Sequence, residues 1–149
     1  MNKNILFIGL ILMLIGACTD YSQYPKIDFI TFEMDDCHQE IVEGHFAMTS
    51  QNQYEEVMAI FLSDDISVSQ CQNATLKNID FDEYSLLGYR KCGSGCETSF
   101  EPTVYLDEVN KKYIFEVDVI EKGGCEPWVC SMNWILVPAL PKDYFVEFL

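Results

Sequence analysis

Apolar and polar positions alternate most regularly late in the chain. Tyr113, Phe115, Val117 and Val119 fall on one side, and Glu116 and Asp118 on the other. A period of two marks a strand with one buried face. Val104 and Leu106 alternate with polar neighbours in the same way and predict a strand over about Thr103–Val109. Asn110-Lys111 between these two strands reads as a hairpin turn. Met132–Val137 is apolar on both faces, the pattern of a central strand. Pro138–Lys142 reads as a loop and Tyr144–Phe148 as a final strand. Earlier, Ile27–Met34 reads as a strand, and Cys37–Phe46 as a second extended stretch after the break at Asp35-Asp36. Ile66 and Val68 suggest a short strand, and Ile79–Phe81 and Tyr84–Arg90 further strand segments. Cys92-Gly93-Ser94-Gly95-Cys96 and Gly123-Gly124 read as turns.

The period changes once. Tyr54, Val57, Met58, Phe61 and Leu62 stand at helical spacing, an apolar stripe on one face. Ser50 followed by Gln53 is a capping-box start, and Glu55 and Glu56 are expected in the first turn, near the positive end of the helix dipole. The helix is predicted over about Gln51–Leu62. One helix among consecutive antiparallel strands predicts an α+β domain, mainly antiparallel sheet, with the amphipathic helix packed on one sheet face.

The start of the chain follows a different rule. Lys3 precedes an uncharged apolar run, Ile5–Ala17, which is shorter than the roughly 20 residues of a membrane-spanning helix. A basic start, a short apolar core and small residues before a cut describe a secretory leader. Leu14-Ile15-Gly16-Ala17-Cys18 resembles the lipobox of bacterial lipoproteins. The resemblance implies cleavage of residues 1–17, acylation of Cys18 and a lipid-anchored chain in the cell envelope, at the outer membrane or cell surface or facing the periplasm. Several acyl chains hold a protein where one would not. Residues 18–26 are then a tether and residues 27–149 a single domain. Length and layout resemble lipoproteins of Bacteroidetes-type bacteria.

Charge narrows the partners. The formal charge is −15, and loss of Lys3 with the leader makes it −16. Such a surface repels nucleic acid and gives no attraction to anionic lipid, so the anchor itself has to hold the membrane.

Setting Cys18 aside leaves six cysteines: Cys37, Cys71, Cys92, Cys96, Cys125 and Cys130. In an exported domain an even number reads as a disulfide framework. Local pairs, 92 with 96 and 125 with 130, would leave Cys37 for Cys71. A crossed arrangement staples the 92/96 loop to the 125/130 loop. Spacing alone does not choose between them. Zinc held by four of these cysteines, or by Cys37, His38 and His45, is disfavoured by loose spacing and an oxidising compartment. Redox catalysis lacks a C-x-x-C pair.

Catalytic chemistry finds little support. His38 and His45 are the two histidines, and no Gly-x-Ser-x-Gly elbow exists. Asp80, Asp82 and Glu83 form an oxygen-rich cluster without EF-hand spacing, which reads as a solvated charge run. No cofactor or metal is called for. Trp128, between Cys125 and Cys130, is the candidate partner-binding residue, because a rigid aromatic in a stapled loop is a good anchor. The competing reading lays its ring over the disulfide as core.

The segment Asn78-Ile79-Asp80-Phe81, then Tyr84-Ser85-Leu86-Leu87-Gly88, the Gly-rich turn, two alternating strands and the closing Val146-Glu147-Phe148 resembles the domain of PrcB-type protease-complex subunits. These are small bacterial lipoproteins that accompany a secreted protease. The likeness covers mostly Asn78–Phe148, and the cysteine pairs depart from the family's pattern. It implies a non-enzymatic accessory that binds an exported protease or another envelope protein. The alternatives are a glycan-binding surface lipoprotein using Trp128 and nearby tyrosines, and a hydrolase with an acidic site near His38 or His45.

Overall fold

A computed structural model of the protein describes residues 21–34, 44–63, 76–124 and 127–149. Its elements are a 3-10 turn at Tyr21–Gln23, β1 (Ile30–Thr31), β2 (His45–Met48), α1 (Gln51–Ser63), β3 (Tyr84–Ser94), β4 (Ser99–Asp107), β5 (Lys112–Ile120), β6 (Trp128–Pro138) and β7 (Phe145–Phe148). The strands form a four-stranded sheet, β1-β6-β3-β2, and a three-stranded sheet, β4-β5-β7. All pairings within the two sheets are antiparallel except β5 with β7.

The double apolar pattern of β3 and β6 has a direct structural reason. On one face, Leu86 and Trp134 join Met48, Tyr54, Met58 and Ile79 in a buried cluster that includes α1. On the other face, Leu87, Ile135 and Val137 pack against Val104, Tyr113, Phe115 and Val117 of the three-stranded sheet. The central strands thus feed two cores, whereas the alternating residues of β5 feed one. Trp134 lies directly opposite Gly88 in the ladder, and a Cβ at Gly88 would fall 2.1 Å from the indole Cζ3. Glycine therefore makes the notch in which the largest core side chain lies.

α1 starts as predicted. Ser50 Oγ accepts a hydrogen bond from the Gln53 amide at 3.4 Å. The Gln53 carboxamide oxygen accepts from the Thr49 amide at 2.9 Å, one residue before the expected capping-box partner. The first turn contains no acid, so Glu55 and Glu56 fall in the second turn, away from the exposed amides of the helix start. Tyr54 and Met58 are fully buried and Val57 is half-buried.

Several sequence expectations need correction. Ile27–Met34 is not one paired strand: Ile27 donates its amide to Val104 of β4, while Ile30 and Thr31 pair with Leu136 and Ile135 of β6. This segment crosses from one sheet edge to the other and bridges the two sheets. The Ile79–Phe81 strand is absent, because Asp80 caps a turn by accepting the Asp82 amide at 3.0 Å. Cys92-Gly93-Ser94 is not turn but the end of β3, since Gly93 has no side chain to strike Val119 of the facing sheet, 2.4 Å from where a Cβ would lie. The turn begins at Gly95, whose φ of +140° suits glycine. The last strand runs parallel to β5, because the chain leaves β6 for the other sheet before it re-enters. The extended stretch expected over Cys37–Phe46 lies mostly outside the described residues, as do Ile66 and Val68.

Candidate functional site

The predicted staple and the predicted aromatic anchor come together at one end of the β3–β6 ladder. Cys92 and Cys130 are directly opposed and disulfide-bonded, with Cα atoms 4.0 Å apart. The bridge therefore joins β3 to β6 rather than closing 92 onto 96, which agrees with the crossed arrangement for this pair. Cys96 is also disulfide-bonded. Cys18, Cys37, Cys71, Cys125 and His38 lie outside the described residues.

Two positions before Cys130, Trp128 pairs with Ser94 at the start of β6. Its side chain is not core: the residue is 69% exposed, and Val129 beside it is 38% exposed. The reading in which the ring lies down to fill the core is thus overturned. Two backbone ties and one side-chain tie hold this end: the Gly95 amide donates to Pro127 O, the Glu97 amide to Lys122 O, and the Ser94 amide to Glu121 Oε1 at 2.6 Å. The strand end that carries the exposed indole is bridged and hydrogen-bonded, so a partner would not have to order this backbone, which limits the ordering cost of binding.

Farther along β6 lies a cleft of about 330 Å³, lined by Phe32, Glu33, Phe100, Ser131, Asn133 and neighbours. Glu33 is the one ionisable group among its described lining residues, so they supply no acid–base pair. Asn133 is committed to the ladder, donating its side-chain amide to Tyr89 O and Ser131 O at 3.2 Å.

The remaining candidates are dispersed. His45 packs its ring on Phe148, centroids 4.5 Å apart, with Tyr89 at 6.3 Å. That places it in an aromatic seam between β2 and β7. Asp80 and Glu83 are occupied locally, Glu83 accepting from the Tyr84 hydroxyl, which holds the phenol above its ordinary value. No cluster of three metal-ligating side chains occurs among the described residues. Of the tyrosines, Tyr105 and Tyr113 are buried, and Tyr89 packs on Phe115 and Phe148.

Sequence reasoning missed a polar knot at the opposite end of the domain. Asp107 is buried, accepting from the Asn110 side chain at 2.7 Å and its amide at 3.0 Å. These bonds, helped by Lys112 and the Tyr24 hydroxyl, hold its carboxyl below the usual range despite opposing desolvation. Lys112 pairs with Glu147 of β7, and Lys111, at φ 53°, pairs with Asp143. The Asp107-to-Asn110 spacing ahead of the hairpin was the available signal, since Asp side chains characteristically bond amides in turns. These groups fasten β5 to β7 and to the N-terminal segment.

No family model matches the chain, and no curated protein and no solved structure matches it either.

Proposed function

We propose that this chain is a lipoprotein anchored in the cell envelope through Cys18, whose domain binds another protein without catalysing a reaction. The exported-protease accessory suggested by the PrcB-type resemblance is the partner class adopted. The observation that carries the reading is the exposure of Trp128, 69%, on a strand end braced by Cys92–Cys130. Large aromatics dominate binding energy when a partner buries them, and a pre-positioned one loses little freedom. The α+β reading, with the amphipathic stripe of α1 covering one sheet, gives that strand a rigid support.

The test is recovery of partners with the detergent-solubilised native lipoprotein, comparing wild type with Trp128→Ala. A specific protein is expected with wild type and lost with the variant. The variant should unfold at the wild-type midpoint, because an exposed ring contributes little to the core. Recovery of no protein, or equal recovery by both chains, overturns the proposal. An exposed indole also stacks on sugar rings, and a glycan array probed with the same two chains separates that second reading.

A further inference from the structure

The chain just after the expected anchor is tied to the domain rather than free. Tyr21–Gln23 forms a 3-10 turn closed by the Tyr24 amide on Tyr21 O at 3.0 Å. Pro25 O accepts the Leu106 amide at 2.9 Å, Lys26 bridges Tyr105, and Ile27 donates to Val104 O at 2.9 Å. The Tyr24 hydroxyl helps to hold the Asp107 carboxyl below its usual range, which sets Tyr24 beside the end of β4. Tyr21 and Tyr24 therefore sit where β4 turns into β5.

That docking sets a geometry. Cys18 precedes Tyr21 by three residues, a reach of at most about 11 Å when fully extended. Trp128 lies at the other end of the strands. β4 rises towards Asp107, while β6 runs through eleven residues from Trp128 to Pro138. At roughly 3.3 Å per residue the length of β6 separates the two ends by about 30 Å. The apex of the anchor-side end is Val109, 90% exposed, in the turn between the paired Asp107 and Lys112.

We infer that the β4–β5 hairpin end, with Val109 at its apex, lies against the lipid headgroup layer, and that Trp128 is presented at the far end to the aqueous side. The inference rests on acylation of Cys18. The surface it fits is a zwitterionic headgroup layer, because the chain from Cys18 onward, of formal charge −16 once Lys3 is lost from the −15 of the full sequence, gains nothing from anionic lipid. A tether of only Thr19 and Asp20 leaves little room for the domain to turn over. The orientation makes the exposed indole accessible to soluble or projecting partners.

The test uses the lipidated full protein in phosphatidylcholine vesicles carrying a nitroxide on the headgroup. Trp128→Phe/Val109→Trp moves the exposed indole to the hairpin apex, and wild type keeps it at the far end. Trp134 is buried in both and gives a common background. Nitroxide lipid is expected to quench the hairpin indole several-fold more strongly than Trp128. Lengthening the tether by about ten Gly/Ser residues between Asp20 and Tyr21 is expected to abolish that difference by freeing the domain. Trp128→Phe/Glu108→Trp gives a second apex probe if the first folds poorly. Vesicle co-sedimentation is read in the same samples. A chain that fails to sediment refutes the anchor and the orientation with it. A chain that sediments but shows equal quenching at the two ends, or stronger quenching of Trp128, refutes the orientation alone.

Discussion

Gly88→Ala tests the packing of the core that includes α1. The site is in mid-strand, and Gly88 is not among the glycines at positive φ. Alanine therefore fits the backbone, and reduced freedom of the unfolded chain would by itself stabilise by about 0.4–1 kcal/mol. Against this, the new methyl would fall 2.1, 2.4 and 2.7 Å from Cζ3, Cε3 and Cη2 of Trp134. The ring must retreat by more than an ångström, yet Trp134 is 3% exposed and stacked on Phe46 at 5.8 Å. Overpacking of this kind costs about 1–3 kcal/mol, and a clash with a confined ring belongs at the upper end. The net expectation is a loss of about 2 kcal/mol, or roughly 8 °C in Tm for a domain of this size. Urea and thermal unfolding of the oxidised chain read it directly. The decisive control repeats the substitution in a Trp134→Leu background, where the methyl has space and its cost should vanish. Such a cycle isolates the clash as a coupling of about 2.5–3 kcal/mol, since the gain from the unfolded chain is common to both backgrounds and cancels. A Gly88→Ala chain as stable as wild type, or an equal cost in both backgrounds, would refute the notch.

Two further outcomes are expected. Closing a loop of sequence separation 38, the Cys92–Cys130 bridge should contribute about 2–4 kcal/mol, below the isolated-bridge value where the Cys96 disulfide already restrains the unfolded chain. Urea midpoints of Cys92→Ser/Cys130→Ser check this, and an unchanged midpoint would show that the bridge is dispensable. Asp107 and Asp143 have depressed carboxyl values, so their stabilisation is present above the unfolded range near about pH 4 and disappears as pH falls through the lower folded values. Lys111 and Lys112 are raised by their acidic partners, so their contribution is complete below about pH 10.5 and fades only as pH rises through the folded values. Stability followed from pH 2 to 7 should fall less steeply in Asp107→Asn than in wild type, and parallel curves would contradict the assignment.

The legible parts of the fold were those in which one residue type does one job. The alternation over β5, Tyr54 and Met58 of α1, and the doubly apolar β6 each report which faces are buried, and burial is what the pattern encodes. What failed was long-range. Gly93 looked like a turn residue, because a glycine excluded by Val119 from across the sandwich is indistinguishable in sequence from one needed for φ. The segment Ile27–Met34 read as one strand, since nothing local says that Ile27 and the Ile30-Thr31 pair serve different sheets. At the candidate site, Trp128 was identifiable as a residue of interest, but only its exposure removed the core reading. The pairing of Cys92 with Cys130 depended on strand register, which spacing does not carry.

The segment that bridges the two sheets also constrains when the domain can form. Its residues lie near the start of the chain, yet they pair with β4, complete only at Asp107, and with β6, complete only at Pro138. Contacts this distant in sequence are slow to form, because loop closure precedes any gain from pairing. A chain crossing a membrane N-terminus first would expose those early residues while their partners were still in transit. A product truncated before residue 128 lacks β6, so the edges of β1 and β3 that β6 pairs would stay open in it. Such fragments are the ones in which strand edges would be free to pair between molecules.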